Sequence, residues 1–314
     1  MRNLADLRDG AINALSRLTA AGQDIIVMVA DSTSTSKIGP FLDTYPERVI
    51  NVGIAEQNMV GMAAGLALGG HIVFTANAAP FLVARANEQV KNDVCYSATN
   101  VKMLGLNAGF AYGPLASTHH AIDDISIMSG FGNVQIFAPC DEVEVAQMID
   151  YAVSVDGPMY IRLDNAKFPV VHDASYRFEP GRPDVLIEGS GVAVIALGSV
   201  VGEALEACER MRQEHNVSPT LVNLSSLRPL DQDALAAIIE RHDAIVTVEE
   251  HSLHGGIGAT VAMLMARRRL HRHLTTLGVT EGEFAHYGTR KGMRRHYGID
   301  AEGIADAVLP QFAC

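Results

Sequence analysis

Three groups of side chains have the types and spacing to do chemistry. Glu56 opens an apolar, glycine-rich run, NVGIAEQNMVGMAAGLALGG at residues 51–70. His119 and His120 stand side by side in YGPLASTHHAIDD at residues 112–124, followed by Asp123 and Asp124. Further on, VEEHSLHGGIG gathers Glu249, Glu250, His251 and His254. A carboxylate in the first turn of a helix is stabilised by the exposed amides there. It serves either as plain helix-end electrostatics or as an acceptor held out to a ligand. A histidine titrates near neutral pH and can move a proton. Two adjacent histidines do not by themselves make a metal site, and one surface plus one core histidine is the plain alternative. For the third cluster, metal binding is disfavoured.

The run after Glu56 must be a helix for this placement to hold. Gly61, Gly65 and Gly69 recur every four residues and so share one face. Each glycine costs a helix roughly 1 kcal/mol relative to alanine. Close approach of another backbone would compensate, either deep inside the domain or against a second subunit.

Around these groups, apolar runs alternate with helical periodicity. Strands are expected at 25–30, 71–75, 101–106, 134–138 and 159–163, with helices at 4–20, 56–68, 81–91 and 141–154. A proline- and glycine-containing stretch at 164–191 breaks the pattern. A second alternating unit follows, with strands at 191–198, 219–226, 244–250 and 273–279. Its helices are expected at 200–214, 231–241, 255–269 and 301–310. The fold class is therefore α/β, in two domains at 1–170 and 186–314 joined by a linker at 171–185, each a parallel sheet covered on both faces.

The chain has 314 residues, 48% of them apolar and 19% charged, which allows sizeable cores and excludes disorder. Its net charge of -12 disfavours an extended nucleic-acid-binding face. The basic runs at 267–269 and 290–295 are expected to be solvated helix faces or subunit salt bridges. Cys95, Cys140, Cys208 and Cys314 lie far apart, with neither metal-ligand nor redox spacing. The N-terminus lacks a secretory pattern and no stretch reads as a membrane span, so a cytoplasmic location is expected.

NVGIAEQNMVGMAAGLA resembles the cofactor-helix motif of the transketolase family of thiamine diphosphate enzymes, and the THH and VEEHSLHGGIG segments add support. The resemblance covers essentially the whole chain, as the C-terminal half of a full-length transketolase. It implies two three-layer α/β domains, a thiamine diphosphate pyrimidine-binding domain followed by a transketolase C-terminal-like domain. It casts Glu56 as the carboxylate bonded to the aminopyrimidine ring nitrogen. There it favours the tautomer whose exocyclic nitrogen generates the reactive ylid. Phe81 matches an aromatic packed on that ring, and Arg85 stands beside it, able to pair with an acid of its own or the partner chain. Ala78, Ala84 and Asn87 stand where relatives often carry further aromatics, so the aromatic cradle is reduced. His119 matches a proton-shuttling histidine facing the donor hydroxyl. His120 stands where glutamine is common.

The resemblance also assigns a substrate side. Ser32 and Lys37, in the serine- and threonine-rich loop after the first strand, match a substrate-side loop, although a helix-capping loop is the plain alternative. Asn107 matches a histidine, and Asn165 an arginine, that help bind the substrate phosphate in relatives. Arg162, Lys167 or Lys37 are candidates to replace that lost charge. Leu115 and Ala116 replace an Asp-Gly pair. The VEEH segment of relatives lies near the subunit contact and the outer edge of the site.

No Gly-Asp-Gly segment is present to hold Mg²⁺ and the diphosphate. This implies a separate N-terminal transketolase-type subunit that supplies both, in an α2β2 heterotetramer with a self-pairing contact. The expected activity is transfer of a two-carbon ketol unit from a ketose donor to an aldehyde acceptor. Alternatives are the beta subunit of a 2-oxo acid dehydrogenase decarboxylase, a specialised acyl or ketol transferase acting on an unphosphorylated substrate, and a non-catalytic scaffold subunit.

Overall fold

The computed structural model describes residues 2–280 and 284–312, so Cys314 lies outside the described residues. Aliphatic runs with no polar face to leave in water become fully buried parallel strands. The strands of the N-terminal part are β1 (Leu4–Asp6), β2 (Ile25–Val29), β3 (Val49–Asn51), β4 (Ile72–Ala78), β5 (Val101–Leu106), β6 (Gln135–Phe137) and β7 (Met159–Arg162), of which β2 and β5 are buried along their whole length. The helices between them are α1 (Leu7–Ala20), α2 (Thr33–Ser36), α3 (Gly39–Thr44), α4 (Glu56–Leu68), α5 (Asn87–Gln89), α6 (Asp124–Ser129) and α7 (Glu142–Ser154). The C-terminal part contains β8 (Lys167–Pro169), β9 (Asp184–Ile187), β10 (Val192–Ala196), α8 (Val201–His215), β11 (Thr220–Asn223), β12 (Ser226–Arg228) and α9 (Gln232–Glu240). It continues through β13 (Ala244–Ser252), α10 (Ile257–Arg268), β14 (His273–Val279), α11 (Arg290–His296) and α12 (Ala301–Val308).

Two sheets result. The first runs β12-β6-β7-β5-β4-β2-β3, parallel except at β12; the second runs β14-β13-β10-β11-β9, parallel except at β9. Each is a middle layer between two apolar cores. Along β10 the alternation is plain: Val192, Val194 and Ala196 face one core, Ala193 and Ile195 the other. In the first sheet Phe74 and Leu104 face a core with Leu15 and Ile149, while Val73 and Met103 face one with Met59 and Val60. Burying one such side chain contributes roughly 1.5–3 kcal/mol.

Three local expectations change. The helix expected from residue 4 starts at Leu7, because Leu4–Asp6 pairs antiparallel with Lys167–Pro169 and Asp6 caps α1 by accepting from Arg8 N. The single strand expected at 219–226 is split: β11 belongs to the second sheet, and β12 crosses to the edge of the first. The regular helix expected at 81–91 is two wide π-type turns, Phe81–Arg85 and Val90–Tyr96, flanking α5. Such turns carry an extra residue and often mark functional positions. Helix α4 spans 56–68 as expected. No helix among the described residues is long and apolar enough to cross a membrane.

Candidate active site

The carboxyl ends of the adjacent strands β5, β4, β2 and β3 point the same way, and loops leave there toward α4, the wide turns and residues 107–123. Crevices outside the carboxyl ends of parallel strands are where open α/β sheets bind ligands. Glu56 enters at this edge as the first residue of α4.

Glu56 is only 3% exposed, so its carboxylate needs internal partners. It has two. Asn77 Nδ2 donates to Oε1 at 3.2 Å, and Arg85 Nη1 donates to Oε2 at 2.7 Å. Asn77, near the end of β4, in turn accepts a short bond from Ser32 Oγ. The Arg85 guanidinium lies 4.6 Å from the centre of the Phe81 ring, and Phe81 meets the His119 imidazole edge-on at 5.3 Å. Tyr112 also meets the His119 ring edge-on, at 5.6 Å. Thr118 Oγ1 lies 2.9 Å from His119 Nδ1. Glu56, Arg85, Phe81 and His119 thus form one connected chain of contacts. Asn77 and Tyr112 were missed from the sequence. A polar residue inside the buried strand IVFTANA was the available signal for Asn77.

His120 turns away from this chain. It is buried, packs edge-on against Phe110 at 5.4 Å, and places Nε2 3.1 Å from the Gly113 carbonyl. Burial pushes its pKa below the usual histidine value. Its Nδ1 is buried without a partner. Asn107 follows β5 in a left-handed conformation, φ 58°, and its Oδ1 is also buried without a partner.

The remaining candidates are placed otherwise. Ser32 Oγ points back at Asn77 and at the carbonyls of Ala76 and Ala30. Lys37 Nζ is held by Asp9 at 2.7 Å and Asp6 at 3.0 Å, away from Glu56's partners. Asn165 offers its backbone carbonyl to Arg8. Arg162 is buried and spent on Asp124 at 2.9 Å and on the carbonyls of Ala121 and Glu250. It is therefore no substitute phosphate ligand. Lys167 remains exposed.

Val248, Glu249, Glu250 and His251 are buried and form a hub between the two sheets. Glu249 caps α10, accepting from the amides of Ile257 and Gly258 at 2.8 and 2.9 Å, and burial pushes its pKa up to about 7. Glu250 accepts from Phe110 N at 2.6 Å, from Arg290 at 2.7 Å and from Arg294. Arg290 also pairs with Asp164, so two arginines of the 290–295 run face inward instead of into solvent. His251 is buried near Asp124, and that burial drives its pKa down to about 4.

One other cluster brings possible metal ligands together among the described residues: Cys140, Asp141 and His172. Its donors already have partners. His172 Nδ1 lies 3.0 Å from Asp141 and Nε2 2.8 Å from Asp184, while Asp141 also accepts from the amides of Val171, His172 and Glu144. This is a charged clamp on the segment joining the two sheets.

The cluster at Glu56 fits, by its chemistry, a flat, protonatable nitrogen heterocycle such as an aminopyrimidine. It offers a buried carboxylate acceptor, an aromatic wall in Phe81 and a histidine at hand. It shows no comparable cluster of acidic and backbone donors for a metal-bound diphosphate.

Residues 4–170 match the family model described as transketolase, pyrimidine binding domain, and residues 181–304 the one described as transketolase, C-terminal domain. A subunit of apulose-4-phosphate transketolase from Actinobacillus succinogenes is 49% identical over 309 residues, covering 98% of this chain and 99% of that protein. The subunit of the same name from Phocaeicola vulgatus is 34% identical over 98% of this chain and 97% of its own length. The solved structure described as split gene transketolase, inactive beta4 tetramer, superposes with a TM-score of 0.89 at 34% identity, covering 98% of each chain.

Proposed function

The chain belongs to the transketolase family, as the pyrimidine-binding and C-terminal domains of a split enzyme, and from that premise we propose that Glu56 receives the pyrimidine ring of thiamine diphosphate. The protein is a subunit of a ketol-transferring enzyme of this family and works with a separate transketolase-type partner. Thiamine diphosphate, when bound, supplies the electron sink for cleaving the bond beside a ketone.

This chain's residues do the positioning. Glu56 holds a proton at the ring nitrogen, Phe81 provides a flat wall, and Arg85 balances the carboxylate before the ring arrives. His119, fixed through Nδ1 by Thr118, has no hydrogen bond to its Nε2 among the described residues. That nitrogen is the group we assign to moving a proton at the donor hydroxyl. The single observation supporting the reading most is the burial of Glu56 at the start of α4, within one contact network of Phe81 and His119. Mg²⁺ and the diphosphate fall to the partner subunit, and we propose an assembly of two copies of each chain. The buried free thiols of Cys95, Cys140 and Cys208 are compatible with a cytoplasmic location.

For the donor, the names of the two relatives above support a ketose phosphate such as apulose 4-phosphate. Its phosphate would then rest on Lys167 or on cations of the partner, because Arg162 and Lys37 are already engaged here. A second reading, an unphosphorylated donor, is favoured by the neutral Asn107 and Asn165 at the positions of the family's charged ligands. The test is reconstitution with the partner, followed by a donor screen with phosphorylated and free ketoses. Glu56→Gln should abolish turnover and weaken cofactor binding. Wild-type turnover by that variant would refute the reading.

A further inference from the structure

We propose that Asn77, oriented by Ser32, is a positioning residue for Glu56: it fixes Oε1, so that Oε2 is the oxygen turned to the cofactor's ring nitrogen. The inference rests on the role given to Glu56 above.

The amide of Asn77 sits between two groups with opposite demands. Glu56 Oε1 can only accept while the carboxylate is charged. Ser32 Oγ has one proton to give, and around it stand three acceptors: the carbonyls of Ala30 at 3.3 Å and Ala76 at 3.1 Å, and Asn77 Oδ1, which is the closest. Turning the amide over would bring Oδ1 against the carboxylate, acceptor against acceptor. The hydroxyl proton on Oδ1 therefore locks Nδ2 toward Glu56. Ser32 is itself held in place. Asp31 before it takes φ 54°, and the Asp31 amide donates to Asn51 Oδ1 at 3.1 Å.

The two carboxylate oxygens are consequently unlike. Oε1 has a neutral donor on a fully buried strand residue, which has nowhere to go. Oε2 has a cation on a side chain that is 45% exposed and can turn into solvent. A neutral donor fixes the geometry without setting a second full charge against the carboxylate. The arrangement leaves one oxygen anchored and the other exchangeable. It also moves Ser32 from the substrate side to the cofactor side of the site.

The test is titration of the assembled two-subunit enzyme with thiamine diphosphate and Mg²⁺, across the pH range where carboxylates titrate. Asn77→Leu leaves a buried charged acceptor short of a donor. It should weaken cofactor binding by about ten-fold or more and move the acid limb of binding to higher pH. Asn77→Asp should invert the pH dependence near that limb, because a shared proton restores a donor as pH falls. Ser32→Ala should give a smaller loss in the same direction, and Ser32→Thr should restore it. Unchanged affinity in Asn77→Leu and Ser32→Ala overturns the proposal, as does a uniform loss with an unmoved acid limb. If Asn77→Leu fails to assemble, the contrast between Ser32→Ala and Ser32→Thr decides. Glu56→Gln separates the two levels: weak binding there beside normal binding in the Asn77 variants removes only the positioning role, whereas normal binding in Glu56→Gln removes the reading beneath it.

Discussion

Arg85 Nη1 stands 2.7 Å from Glu56 Oε2 in a lopsided pair: the carboxylate is 3% exposed and the guanidinium 45%. A guanidinium at that distance occupies the oxygen that a ring nitrogen would use. A carboxylate meant to hold a proton at a ring nitrogen works better without it. The exposed partner is also the one free to leave.

For Arg85→Gln we therefore predict tighter cofactor binding in the assembled enzyme, by a few-fold, because the ring no longer competes with a guanidinium. The free subunit should lose stability, by about 1 kcal/mol, since the pair is half-solvated. Cofactor titration and denaturant unfolding measure the two effects. Weaker cofactor binding would mean that the guanidinium stays with the loaded site.

The clamp at His172 predicts a pH dependence. Burial works against its charged form, but hydrogen bonds to Asp141 and Asp184 outweigh that and raise its pKa from 6.5 to about 10. A raised histidine stabilises the fold fully below its unfolded pKa, and that contribution fades as pH rises through the folded one. The melting temperature should therefore fall between neutral pH and about pH 10. His172→Ala should lower it at pH 7 by the equivalent of about 3 kcal/mol, because two carboxylates lose their partner. The same variant should flatten the alkaline slope. A wild-type slope in that variant would assign the alkaline loss to other groups.

Much of this molecule is legible in the sequence because burial leaves a periodic record. The strand IIVMV and the helix starting at Glu56 need only local pattern, and both stand where that pattern puts them. Glu56, Phe81 and His119 were recognisable as motif positions, and the fold brings them into one contact chain. What stayed hidden depends on partners distant in sequence. The 290–295 basic run looks solvated until Glu250 and Asp164 arrive from other elements to neutralise Arg290. Lys37 and Arg162 look like spare cations until Asp6, Asp9 and Asp124 claim them. The split of 219–226 into β11 and β12 follows from a free edge on the first sheet, which no local propensity encodes.

Glu250 gives a prediction of the opposite sign to His172. Burial alone would raise its pKa, but Arg290 and Arg294 hold it below the usual 4.5. A depressed carboxylate stabilises above its unfolded pKa, and that contribution is lost as pH falls through the folded one. Glu250→Gln removes the counter-charge of the buried Arg294 and the partly buried Arg290 and should cost about 3–5 kcal/mol at neutral pH. Urea unfolding should show the loss at neutral pH and a smaller difference from wild type in acid. A neutral-pH loss below about 1 kcal/mol would mean that Asp164 alone satisfies the arginines.

Gly113 connects this hub to His119. Its carbonyl accepts from Gly288 N at 3.3 Å and faces His120 Nε2 at 3.1 Å, so it anchors the loop that carries His119. A Cβ at this position would lie 2.1 Å from the Gly288 carbonyl oxygen, and backbone cannot yield as a flexible side chain can. Gly113→Ala should therefore push the 112–120 loop away from the 288–290 segment and cost about 1–3 kcal/mol. Because Glu56, Asn77 and Phe81 lie on other elements, cofactor affinity should fall little while turnover falls at least ten-fold, the signature of a displaced proton-transfer group. Measuring the cofactor Kd and kcat on the same assembled preparation checks this. Equal losses in both would place the loop in cofactor binding instead of proton transfer.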